Sequence, residues 1–109
     1  MTTTTTAHEV AAAVRRGDTV IDVRTIEEYT AGHVPGAVFM PLHIVPLRLS
    51  EFSRRSPVYV VCESGARAAQ ACQYLDQHGY QAVNLHGGMS AWRSAGLPIE
   101  SSRGAVTHA

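Results

Sequence analysis

The stretch VVCESGARAA, residues 60–69, places Cys62 directly after an apolar run and three positions before Gly65. A thiolate is the nucleophilic form of cysteine, so the surroundings of such a residue decide whether it does chemistry. Glu63, Ser64, Gly65, Ala66 and Arg67 are small or polar around one glycine, a composition that permits a tight bend with successive backbone N–H groups turned inward. If a strand ends at Cys62 and a helix starts just past Gly65, the first turn adds unpaired donors and about half a unit of positive charge. A negative sulfur is favoured there. The reading is a nucleophilic Cys62, ionised and exposed, in a cradle formed by residues 63–67, with Arg67 contacting a bound anion. Asp22 and Arg24, at the end of another strand, and Ala68 are expected to support it.

Cys72 reads differently, because it falls at helical spacing with Ala68 and Leu75, beside Ala71, and is expected to be an inert core thiol. The six histidines share no ligand spacing and neither cysteine sits in a CxxC pattern, so no metal site is expected. Trp92, spaced helically from Met89, is expected in the core at the sheet edge.

These groups need a scaffold that brings strand ends together. TVIDV (19–23) and SPVYVV (56–61) are β-branched runs suited to strands covered on both faces, and AVFMP (37–41), AVNL (82–85) and LPI (97–99) are further strand candidates. Thr6 with Glu9, and Thr25 with Glu28, have capping-box spacing and open short helices ended by Gly17 and Gly32. Residues 42–55 carry Pro46 within apolar residues of mixed spacing, which predicts an interrupted helix. A helix runs from just past Gly65 to the HGY at 78–80, and residues 87–96 form a short glycine-opened one. Alternation of this kind predicts an α/β fold: a mostly parallel central sheet of about five strands with helices on both faces. Ligands then collect at the carboxyl ends of the strands, where Cys62 lies.

At 109 residues the chain has room for one core, expected over residues 8–100, with flexible tails at 1–7 and 101–109. Nine arginines and no lysine balance nine acidic residues, so no net field attracts nucleic acid or an anionic membrane. No apolar run approaches the ~18 residues of a membrane span, and MTTTTTAHEV has no signal-peptide pattern. A cytoplasmic protein with reduced thiols is expected.

Five ordered motifs, DVR at 22–24 with Glu27 and Tyr29, GHVPGA at 32–37, CESGAR at 62–67, GGMSAW at 87–92 and GLP at 96–98, together resemble a single-domain rhodanese, a thiosulfate sulfurtransferase-like family. The resemblance implies that Cys62 takes a sulfane sulfur to become a persulfide and passes it to cyanide or a thiol, without a cofactor. Small sulfur donors and acceptors, or a protein in either role, are the implied partners. The six-residue span from Cys62 to Arg67 resembles the sulfurtransferases of this superfamily, whereas the related phosphatases use a loop one residue longer. A carrier or redox-sensing module working with a protein partner is the alternative. Two positions depart from the family pattern: Ala68 replaces a frequent hydroxyl residue, and Glu63 stands where thiosulfate users tend to have a basic one. With a thiolate and Glu63 set against Arg67 alone, the local charge is minus one, and dianionic thiosulfate is expected to be a poor donor.

Overall fold

The β-branched runs do form the centre of the molecule. The computed structural model describes residues 3–102. In chain order the elements are β1 (Thr3–Thr5), α1 (Ala7–Arg16), β2 (Thr19–Asp22), α2 (Ile26–Ala31), β3 (Val38–Phe39), a 3₁₀ segment (Leu42–Glu51), β4 (Pro57–Val61), α3 (Ala66–Gln77), β5 (Gln81–Leu85) and α4 (Gly88–Ser94). The five strands make one sheet in the order β1-β5-β4-β2-β3, and every pairing is parallel.

Alternation along the strands splits the core in two. Val58 and Val60 of β4 and Ile21 of β2 face a cluster with Ala71, Cys72 and Leu75 of α3 and Val45 of the 3₁₀ segment. Val61 and Val20 face the opposite cluster, with Val10 of α1 and Met89 and Trp92 of α4. Both faces of the sheet are therefore covered, as its apolar strands require. Trp92 is buried, and its indole N–H donates to the Pro98 carbonyl at 2.8 Å. No helix of the described residues is long and apolar enough to cross a membrane.

The helix caps follow from local sequence. Thr6 Oγ accepts the Glu9 N–H, and Thr25 with Glu28 closes a full capping box at the start of α2. In the 3₁₀ segment, Pro46 and a non-helical Arg48 break the regular turn.

Two expectations are corrected. The N-terminal threonines are not a loose lead-in from residue 3 onward: Thr3–Thr5 pair in register with Val83, Asn84 and Leu85, and Ala7 is already in the core. Threonine is β-branched and suits an edge strand, and its pairing covers the otherwise open edge of β5. Residues 97–99 form no strand, since Pro98 has no N–H to offer a ladder. The chain instead makes one antiparallel bridge further on, between Glu100 and His33. The Ser101 hydroxyl donates to the Thr30 carbonyl, while residues 103–109, part of the expected C-terminal tail, lie outside the described residues.

Removing residues 1–5 should therefore expose the β5 edge. Amide hydrogen exchange across Gln81–Leu85 is expected to accelerate by about tenfold or more in the shortened chain; protection equal to that of the full chain would show that β1 contributes nothing to the sheet.

Candidate functional site

Cys62 follows the last residue of β4, and the register pairs Asp22 of β2 with Val61 beside it. The chain then turns through Gly65, whose φ of 108° lies in the region that favours glycine, and enters α3 at Ala66. This turn brings the Gly65 N–H onto Cys62 Sγ at 3.0 Å. The Gly65 carbonyl is held by the Asn84 side-chain amide at 3.1 Å, so the peptide's acceptor end points to β5 while its neighbour's donor end serves the sulfur.

The loop's first two carbonyls are also tied back. The N–H groups of Met89 and Ser90, in the first turn of α4, donate to the carbonyls of Cys62 and Glu63 at 2.8 and 3.1 Å. Gly88 makes this approach feasible. It has a φ of 54°, and a Cβ there would overlap the Cys62 carbonyl oxygen and lie 2.7 Å from the Glu63 carbonyl carbon.

The charged groups form a connected set. Arg24, 2 % exposed, binds Asp22 through Nε and Nη2 and donates to the Gly32 carbonyl at 2.7 Å. It also reaches Glu63 at 3.4 Å. Arg93 of α4 binds Glu63 with two hydrogen bonds of 2.7 and 2.9 Å. Arg67 binds Glu28 of α2 in the same way, at 2.7 and 3.0 Å. Hydrogen bonds from Arg67 hold the Glu28 carboxyl down at about 2, against a smaller opposing effect of burial. Glu63 is lowered chiefly by Arg93, with Arg24 adding to it. Arg67 is raised first by its bonds to Glu28, and the Cys62 sulfur acts on it in the same direction. A cleft of about 330 Å³ is lined by Arg24, Glu28, Gly32, Glu63, Arg93 and Ile99. On the other side of Arg24 a cleft of about 450 Å³ includes Thr25, Phe39 and Arg67.

The structure thus brings Cys62 to Arg67, Asp22 and Arg24 together, with Ala68 fully buried beneath. It corrects two details. Cys62 is not exposed: it is 1 % accessible, packed in the cluster with Val60, Ala68 and Cys72, and lines neither cleft. The apolar residues that make β4 a buried strand carry the burial on to the residue that follows. Nor does Glu63 face Arg67 alone, because Arg24 and Arg93 neutralise it while Arg67 is engaged by Glu28. Sequence reasoning did not single out Glu28 as a site residue, nor Gly88, Asn84 and Arg93. Glu28 carried a capping signal and Gly88 a double glycine, whereas Arg93 and Asn84 reach the loop only through the fold. Cys72 is a core thiol as expected, fully buried and pushed up to about 12 chiefly by that burial.

Two measurements follow from this geometry. Gly88→Ala should lose ~2 kcal/mol or more in urea unfolding, since a left-handed residue with a Cβ collides with backbone that cannot yield; a stability within error of the parent would remove the close approach from the account. The second concerns pH. Glu28 has a folded value well below its ordinary 4.5, so its pairing stabilises the fold above that value and the contribution fades as pH falls towards about 2. Denaturation midpoints across the upper part of that window should fall less steeply for Glu28→Gln than for the parent, and parallel curves would mean the pair adds no stability.

The sequence matches the family model for the rhodanese-like domain over residues 6–95. A sulfurtransferase of Allochromatium vinosum is 44 % identical over 86 residues, covering 78 % of this chain and 80 % of that protein. The thiosulfate sulfurtransferase GlpE of Pseudomonas entomophila is 35 % identical over 98 residues, covering 88 % and 89 %. Among solved structures, a rhodanese-like domain protein from Staphylococcus aureus superposes with a TM-score of 0.78 at 36 % identity, covering 91 % of this chain and 99 % of that one. The family model spans most of the chain and the fold is shared with a rhodanese-like domain protein of known structure, and the chain belongs to the rhodanese-like domain family.

Proposed function

We propose that this protein is a sulfurtransferase that carries a sulfane sulfur on Cys62, taking it from thiosulfate or another persulfide-type donor and giving it to a thiol or to cyanide. The observation that carries this reading is the Gly65 N–H on Cys62 Sγ at 3.0 Å, in a loop whose Cys62 and Glu63 carbonyls are drawn off by α4. A donor at the sulfur, with those acceptors turned away, suits a group that cycles between a thiolate and a persulfide anion.

The chemistry runs in two steps. The Cys62 thiolate attacks the sulfane sulfur of the donor, a new S–S bond forms, and the bond to the donor's remaining part breaks, its electron pair leaving with that part. From thiosulfate the leaving group is sulfite. The acceptor then attacks the outer sulfur, and the Cys62 thiolate departs with the electron pair. With cyanide the product is thiocyanate, and no net redox equivalent or cofactor is consumed. An added sulfur extends the side chain by about 2 Å, so the outer atom is the one an acceptor meets, which suits an Sγ that is itself buried. Phosphate-ester hydrolysis fits less well, because a phosphate group would have to displace the Glu28 carboxylate from Arg67, which a persulfide of a small thiol need not do.

Mass spectrometry of the intact chain after exposure to thiosulfate or a small persulfide should show the mass of one added sulfur on Cys62, removed by cyanide with release of thiocyanate. Cys62→Ser should abolish loading and Cys72→Ser should keep it. Loading with sustained turnover identifies an enzyme; loading that discharges only to a protein identifies a carrier; a Cys62 that never gains sulfur from either donor overturns the reading.

A further inference from the structure

Each arginine around the loop is matched to a carboxylate: Arg24 to Asp22, Arg93 to Glu63 and Arg67 to Glu28. The pairings are not equivalent. Arg24 and Asp22 are buried and serve the scaffold, and Arg93 belongs to α4 and ties that helix to Glu63 of the loop. Arg67 closes the loop that starts at Cys62 and lines the open cleft beside Arg24, and its side chain is about one-third exposed, as is that of Glu28. It is therefore the cation that an incoming anion would use, and it is occupied.

Its occupant is unusually well held. Glu28 Oε1 also accepts the N–H and the hydroxyl of Thr25, at 3.0 and 3.1 Å, as part of the α2 capping box. Exposed ion pairs are commonly weak because two long side chains must be frozen to form them. Here the cap has already fixed the carboxylate, so closing the pair with Arg67 orders little beyond the guanidinium. A carboxylate delivered by the same chain also acts at a high effective concentration, and it presents two oxygens to the guanidinium as an external oxyanion would.

Resting on the sulfur-transfer reading above, we infer that Glu28 is a specificity-determining residue: its carboxylate is a built-in competitor for Arg67 that an anionic donor must displace. Displacement leaves Glu28 unpaired near Glu63 and a dianion beside a thiolate, so doubly charged donors such as thiosulfate are penalised. Persulfides of small thiols, with a neutral or singly charged reacting end, need not break the pair. The preferred donor class is the latter. Glu63 contributes to the field, but it is Glu28 that holds the receiving cation.

Alkylation of Cys62 tests this without any sulfur transfer. Iodoacetate and iodoacetamide both place a CH₂ group on the thiolate with loss of iodide, and differ in that the first carries a carboxylate. In Glu28→Gln the amide oxygen still serves the capping box, since glutamine is accepted there, but the charge is gone and Arg67 is freed. The iodoacetate rate should rise by about fivefold or more relative to the iodoacetamide rate, the change expected for releasing a partly exposed charge pair. Thr25→Ala, which loosens the carboxylate but keeps its charge, should raise that ratio by clearly less than Glu28→Gln does. An unchanged ratio in Glu28→Gln, or the same change in both variants, overturns the inference. Should Glu28→Gln fail to fold, NMR of Cys62→Ser titrated with thiosulfate decides: the Arg67 guanidinium and Glu28 carboxylate signals should shift together on saturation, and a shift in neither overturns it. Persulfide loading tests the sulfur-transfer reading separately, so either result can fail while the other stands.

Discussion

The hydrogen bonds from the first turn of α4 to the carbonyls of Cys62 and Glu63 are the constraint on which the site depends. A loop of small residues leaving a strand could turn either end of its peptides inward. Two α4 amides capture the acceptor ends, and the Asn84 amide captures that of Gly65, so the donor end at Gly65 is what remains for the sulfur. The capture needs backbone against backbone, which only a residue without a side chain permits at position 88. The site is thus built from β4 and α3 but aimed by α4, whose own position is fixed by Met89 and Trp92 in the opposite core. Packing on one face of the sheet therefore sets hydrogen-bond direction at its carboxyl edge.

Electrostatics add a second layer. Three arginines and three carboxylates cancel around the loop. A free arginine would attract any oxyanion; a free carboxylate would repel the donor and the thiolate alike. Pairing removes both extremes while keeping cations that can be re-used when an anion arrives. The buried Arg24–Asp22 pair does not share that freedom, since separating it would strand a charge at a cost of about 3–5 kcal/mol. It acts as the fixed post, with Glu63 at its outer end and the Gly32 carbonyl at its other side.

What was legible in the sequence was what local rules govern. The β-branched run in PVYVV, the Thr25 and Glu28 cap, Pro46 within the 3₁₀ segment and the glycine turn after Cys62 each act over a few residues, and each has its counterpart in the structure. Thr3–Thr5 were misread because a short polar run becomes a strand only when an edge 80 residues later needs a partner. The charge balance at the loop was misjudged for the same reason. Arg93 meets Glu63 across 30 residues of sequence, and Glu28 meets Arg67 across 39. Burial of Cys62 was hidden for a different one: the polar residues after it suggest an open loop, but the side chain itself continues the inward face set by Val58 and Val60.

That burial sharpens the contrast between the two thiols. Cys62 and Cys72 lie in one apolar cluster and are almost equally inaccessible. Cys72 sits within α3, where the helix's own amides are already spent, and burial, with a smaller push from Asp76, raises it to about 12. Cys62 precedes the same helix and meets an amide that the turn has left over. A hydrogen bond to sulfur gains strength where water is absent, and under the sulfur-transfer reading proposed above the same burial would shield a persulfide from stray reductants. What separates the two thiols is ten positions of sequence and the direction of one peptide plane.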